Sequence, residues 1–219
     1  MIRNFRPLRH RASRLALTAL SVLALAGCAS LFTKEPRPLF QLSAPSDFPM
    51  NLPRTSAQIV VDAPYAPEGL EPRRIAVVRA TNAIDYLADG DWADRTPNMV
   101  RAVLVEAFEN SKAVAAVGPD SLDLRADFEI EGDLRHFEAV YDSHAGASGA
   151  PTASVALAVK LVKIPERKIL AQTLISARQP ATANATPAIV EAMNQAMGSV
   201  AKQVVAWTLS NPALSAPHR

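Results

Sequence analysis

The single cysteine of this 219-residue chain, Cys28, follows Leu25-Ala26-Gly27. Leucine, two small residues and cysteine in that order suit one chemistry. The thiol takes a diacylglyceryl group, the small residues admit a peptidase to the Gly27–Cys28 bond, and the freed amine of Cys28 is then acylated. A lone cysteine otherwise behaves as a small buried hydrophobe, but the surroundings favour acylation. Arg3, Arg6, Arg9, Arg11 and Arg14 precede it with no acidic residue, and the 13-residue run LALTALSVLALAG fills 15–27. A membrane-crossing helix needs roughly 20 apolar residues, so this shorter run reads as the centre of a removed secretory signal, residues 1–27. Cys28 becomes residue one of the mature chain, with no second cysteine for a disulfide. Each acyl methylene buried in a bilayer contributes about 0.8 kcal/mol, so several chains together anchor the protein stably. Ala29 and Ser30 follow, where an Asp would favour retention in the inner membrane. The expected location is therefore the periplasmic face of the outer membrane.

Beyond Cys28, the side chains that could do chemistry are scattered. Of four histidines, His10 leaves with the signal and His218 lies in the terminal tail, while His136 and His144 would hold a metal only with carboxylate help. Asp120, Asp123, Asp127, Glu129, Glu131 and Asp133 are dense, but calcium loops need a glycine turn and ligands at fixed offsets. Alternation along a strand instead turns these carboxylates outward to solvent. Asp85, Asp89, Asp91 and Asp94 surround Trp92 in a polar turn with no signal of burial that would tune an acid–base pair. No G-x-S-x-G, P-loop or G-x-G-x-x-G occurs. The expectation is a protein that is not an enzyme and uses no metal or cofactor. Met193 and Met197 have two readings, ordinary core or an adaptable apolar surface for acyl chains or a partner helix.

Five of the 23 basic residues lie in the signal, which leaves 18 against 21 acidic residues and a net charge of −3. No basic patch remains to argue for nucleic acid. The 192 mature residues suffice for one domain, and with aromatics at 5% its core must come mostly from Ala, Val, Leu and Ile.

Several elements are legible. Eight of the 17 prolines fall between Pro36 and Pro72, so 28–56 is expected to be a lipidated, proline-rich tether in which PLFQLSAP (38–45) forms a short edge strand. AQIVVDAP (57–64) is a strand. Ile75, Val77 and Val78 make another, and Ile84, Tyr86 and Leu87 a third across a turn at Thr81-Asn82. Thr96-Pro97 supplies a capping hydroxyl and a proline at the first helical position; Val100, Val103, Leu104, Ala107 and Phe108 then mark one face of a helix over 97–111. Ala115–Gly118 is a short strand. From Ala126 the period becomes two, and its parity switches after Leu134, which predicts one long strand with a bulge near Arg135-His136. Strands over 153–164 and 168–178 form a hairpin through IPERK. Thr186-Pro187 repeats the helix start, and Ile189, Met193, Met197, Val200, Val204 and Trp207 form an apolar stripe. The layout predicts a single α+β domain over 57–211, with two main helices packed on one face of a mostly antiparallel sheet and a flexible tail over 212–219.

The segment IDYLADGDWADRTPNMVRAVLVEAF (84–108) resembles the best-marked stretch of the ABC-type transport auxiliary lipoprotein family. The shared features are a strand-ending tyrosine (Tyr86), a Trp-Ala-Asp turn (Trp92, Ala93 and Asp94) and an amphipathic helix. Phe40-Gln41-Leu42, Phe137-Glu138 and Trp207 agree, with Phe40 where tyrosine is usual. The resemblance implies a non-enzymatic periplasmic subunit of a lipid transport system. Its partner would be an ATP-driven transporter's membrane-anchored component bearing mammalian-cell-entry (MCE) domains, which moves phospholipid or related lipids between the two membranes. Tyr86, Trp92, Asp94, Met193 and Met197 are the candidate contacts with such a partner, and self-association into a homo-oligomer is compatible with the role. The rival is an outer-membrane assembly lipoprotein working with a β-barrel or with lipopolysaccharide.

Overall fold

The computed structural model describes residues 36–80, 83–119, 125–142 and 149–215. The signal and lipobox, the Thr81-Asn82 turn, Asp120, Asp123, His144 and His218 lie outside the described residues.

Alternating apolar residues build a long central strand, β6 (Phe128–Val140), around which the other strands assemble. Phe128, Ile130 and Leu134 are buried on one parity and Phe137, Ala139 and Tyr141 on the other. The register shifts between Leu134 and His136, so the expected bulge is present and keeps both apolar sets on the core. On one flank β6 pairs antiparallel with β7 (Thr152–Lys163), and β7 with β8 (Lys168–Pro180).

The other flank is shared by two parallel strands. Here β2 (Thr55–Val61) runs beside the start of β6, Ile59 opposite Phe128, and β3 (Arg74–Ala80) beside its end, Val77 opposite Ala139. Between them the chain stays on β6 as far as Tyr65, whose N–H donates to the Gly132 carbonyl (2.9 Å) and whose carbonyl accepts from Leu134 N–H (2.7 Å). Next to β3 lies antiparallel β4 (Ala83–Trp92). Beyond it is β1 (Leu39–Phe40), parallel to β4, while β5 (Val114–Pro119) lies parallel to β2.

The expected mostly antiparallel sheet is therefore corrected to a mixed eight-stranded one. Short loops can only return antiparallel neighbours, and the hairpins were read from them; strands joined through long connections return in parallel, and alternation does not record direction.

Helices α1 (Thr96–Ser111) and α2 (Thr186–Leu209) pack on each other and on the sheet, α1 against β2 and β5, α2 against β6, β7 and β8. Their apolar faces are the expected ones, and Val155, Leu157, Val159 and Leu161 of β7 are buried within the same core.

The threonine of each Thr-Pro start, however, does not cap its helix. Arg95 and Ala185 occupy the cap positions without side-chain hydrogen bonds. The two threonines lie inside the first turn, buried, and anchor it outward: Thr96 Oγ1 donates to the Pro72 carbonyl (3.3 Å) and Thr186 Oγ1 to Asp89 Oδ1 (2.6 Å).

Both terminal expectations also change. The stretch from Leu39 onward is docked rather than free: Leu42 is buried, Ser43 N–H donates to Asn194 Oδ1 (2.8 Å), Asn110 Nδ2 to the Pro45 carbonyl (3.0 Å), and Lys202 pairs with Asp47. Proline lacks a donor but keeps its carbonyl, and the helices supply side chains to both kinds of group here, Asn110 to the Pro45 carbonyl and Asn194 to the Ser43 N–H. At the other end the first part of the expected tail is a short helix, α3 (Pro212–Ser215), with Leu214 buried and its carbonyl accepting from Thr55 Oγ1 (2.7 Å).

Candidate functional site

The Trp-Ala-Asp turn lies where β4 meets β1 and the start of α1. Trp92 is fully buried, its ring tilted 58° against Phe137 with centroids 5.8 Å apart, and its indole N–H has no acceptor among the described residues. Its backbone N–H donates to the Arg73 carbonyl, the Arg73 guanidinium donates back to the carbonyls of Trp92 and Ala93, and Ala93 N–H donates to the Phe40 carbonyl (2.7 Å). Asp94 is exposed. Its Oδ1 accepts from Arg95 N–H (2.7 Å) and Oδ2 from Asn98 Nδ2 (3.1 Å), and the Arg95 amide holds its carboxyl below the ordinary carboxylate range. The turn is thus a latch that joins two strands to a helix.

Tyr86 is half-buried. The Arg74 guanidinium lies 4.2 Å from its ring centroid, and its hydroxyl donates to the Gly69 carbonyl (3.2 Å). Met193 and Met197 are fully buried. A side chain with no exposed surface touches no partner while the fold is intact, so Trp92, Met193 and Met197 are corrected from contact candidates to core, and only Tyr86 and Asp94 keep a surface. The hydrophobic stripe of α2 was wide enough to be buried all along the sheet, and the polar neighbours of Trp92 concealed its depth.

The remaining polar clusters are occupied by each other. Glu129 and Glu131 are not simply solvated; Arg167 reaches them at 2.6 and 2.7 Å. Burial raises the Glu129 carboxyl above its ordinary value despite that arginine. His136 Nδ1 lies 2.7 Å from Glu138 Oε1, and the buried Glu138 also accepts from Phe137 N–H. Asp89 holds Thr186. Among the described residues no group of three or more His, Cys, Asp or Glu is placed to hold a metal, and no helix is long and apolar enough to cross a membrane. A groove of about 540 Å³ beside Tyr65 is lined by Pro64, Glu68, Glu71, Arg95 and Asn98, with Arg95 and Glu71 paired across it.

Sequence reasoning missed the residues that brace the latch. Gly90 is one: a Cβ there would lie 2.7 Å from the Phe40 ring and 3.1 Å from Thr186 Cγ2. A glycine inside a strand pattern, Asp89-Gly90-Asp91, was the available signal, since it marks close approach of another segment.

The family model described as ABC-type transport auxiliary lipoprotein component matches residues 40–205, from the strand that the latch holds to the last turns of α2. The chain belongs to this family. Auxiliary lipoproteins of this kind serve transport systems and are membrane-anchored proteins of the cell envelope. Among solved structures, protein XCC0632 from Xanthomonas campestris, assigned to the DUF330 family, is similar at 26% identity and a TM-score of 0.72, covering 78% of this chain and 94% of that one. An uncharacterized protein at 12% identity shares the fold, with a TM-score of 0.60 over 78% of this chain and 97% of its own. An uncharacterized protein of Bradyrhizobium diazoefficiens, bll6063, is 25% identical over 170 residues, which are 78% of this chain. The match spans 44% of that relative's length.

Proposed function

We propose that the protein is a lipid-anchored, non-catalytic subunit of an MCE-type ABC lipid transport system, held by Cys28 at the periplasmic face of the outer membrane, where it docks the MCE component. The observation that carries this reading is the match to a transport auxiliary lipoprotein family over 40–205, with Leu25-Ala26-Gly27-Cys28 directly upstream. The side-chain clusters agree with it: carboxylates, histidine and arginines are engaged in holding strands and helix starts together, which is what a docking scaffold requires. Mild crosslinking of the full-length protein in its own membranes, followed by purification and mass spectrometry, tests the proposal. An MCE-domain protein among the strongest partners is the expected result. Barrel-assembly or lipopolysaccharide-assembly components in its place would transfer the protein to the rival role.

A further inference from the structure

Along β8 the sheet ends in an edge of 13 residues that, among the described residues, pairs only with β7. An edge strand presents a row of main-chain donors and acceptors to any extended chain, and folded proteins normally blunt such edges with bulges, prolines or charges. Here those devices stand only at the two ends. A register shift beside Leu161 and Val162, together with Lys168, marks one end, and Arg178 and Pro180 the other. Between them Ala171–Ala177, AQTLISA, holds no charge, proline or glycine. At its centre Ile175 is buried in the core, whereas Leu174 is 62% exposed, and Ile169 farther along is 52% exposed.

Charge selects what can pair there. The stretch 167–190 contains Arg167, Lys168 and Arg178 and no acidic residue, and Arg167 is already committed to Glu129 and Glu131. A second copy of this chain is a poor occupant. A two-fold antiparallel pairing centred on Thr173 or Leu174 sets Lys168 of each copy within two positions of Arg178 of the other, at both ends of the window, and like charges at such positions repel.

We infer that the β8 edge is a β-augmentation site for an extended segment of another protein, about eleven residues long, with apolar side chains beside Leu174 and carboxylates at its ends facing Lys168 and Arg178. Main-chain hydrogen bonds hold the segment, and the flanking charges select it. The inference deepens the docking role proposed above and rests on it.

A photocrosslinking amino acid in place of Leu174, in the full chain in its own cells, tests the site, with and without Lys168→Glu/Arg178→Glu. The expected adduct is to a segment of another polypeptide with carboxylates around an apolar centre, and its yield falls at least tenfold in the charge-reversed protein. An unchanged thermal midpoint in that variant confirms that its fold is intact. An adduct to a second copy, or one indifferent to the charge reversal, overturns the inference. So does the lack of any adduct while the MCE component still co-purifies with the unmodified protein. Loss of that co-purification from the unmodified protein overturns the docking role instead.

Discussion

The two flanks of β6 differ in how far the chain must travel to build them. On the β7 side the strands follow one another in sequence, and the pairing is antiparallel, interrupted by the bulge at Leu134/His136 and the register shift at Leu161/Val162. On the opposite side β2 and β3 arrive from remote sequence: Gln58 N–H donates to the Asp127 carboxylate 69 residues away. Closing such a loop costs conformational entropy before any contact returns it, whereas the hairpin arm closes cheaply. The local arm ends in a long edge, β8, while the remote arm ends in the two-residue β1 and the short β5 and carries the Trp92 latch. One flank is thus cheap to form and available to others; the other is expensive to form and occupied with itself.

Removing the contact that joins the arms breaks this contrast most severely. Phe137 of β6 packs on Trp92 of the remote arm, both fully buried, so Phe137→Ala should cost about 3–5 kcal/mol. Urea unfolding should remain a single transition shifted to lower denaturant. A split transition would mean that the arms are separate cooperative units.

Gly90→Ala acts chiefly on the remote arm and on the first turn of α2, where its methyl would lie 3.1 Å from Thr186 Cγ2. The new methyl overlaps the Phe40 ring, and overpacking of this kind costs about 1–3 kcal/mol. The loss should appear as protease sensitivity near 38–45, with amide exchange in β7 and β8 unchanged; equal loosening of both arms would contradict the comparison.

Gly132→Ala touches both arms at once, since its methyl would lie 3.1 Å from Leu157 Cδ1 and 3.3 Å from Pro64 Cβ. Leu157 is 1% exposed and hemmed in by the core, so a loss near 1 kcal/mol is expected by thermal unfolding. A gain would show that Leu157 has room to yield.

The smallest effect concerns charge on the local arm. Glu129 has a carboxyl raised above the ordinary 4.5 by burial, so its native charge is a liability at pH 7. That liability fades as pH falls through the folded value toward the unfolded one. Stability measured for the wild type relative to Glu129→Gln should therefore improve between pH 7 and about 4.5, by less than about 1 kcal/mol because Arg167 and solvent screen the charge. A difference that worsens on acidification would reverse the assigned sign.

Legibility followed the same division. The bulge at Leu134/His136, both helices and the β7–β8 hairpin could be read because each is written within one continuous stretch of sequence as a change of period or a turn signal. The parallel pairing of β2 and β3 could not, because Ile59 and Phe128 look the same whichever way they run. At the candidate site the family-like turn was visible but its depth was not. Trp92 is surrounded in sequence by Asp89, Gly90, Asp91 and Asp94, and what buries it is Phe137, far along the chain. The buried Met193 and Met197 show the opposite case, where the plainer reading of an apolar stripe was the correct one.

The docking of Phe40 beside the latch sets the length of the leash. With Leu39 fixed in the sheet, only residues 29–38 lie between it and Cys28, and a chain of that length spans at most about 35–40 Å. A domain of some 180 residues has a radius of gyration near 16 Å. Acylated at Cys28, the protein could not drift much farther than its own width from the bilayer. It would behave as a fixture on the membrane surface, and any partner rooted in the opposite membrane would have to bring its own span to meet it.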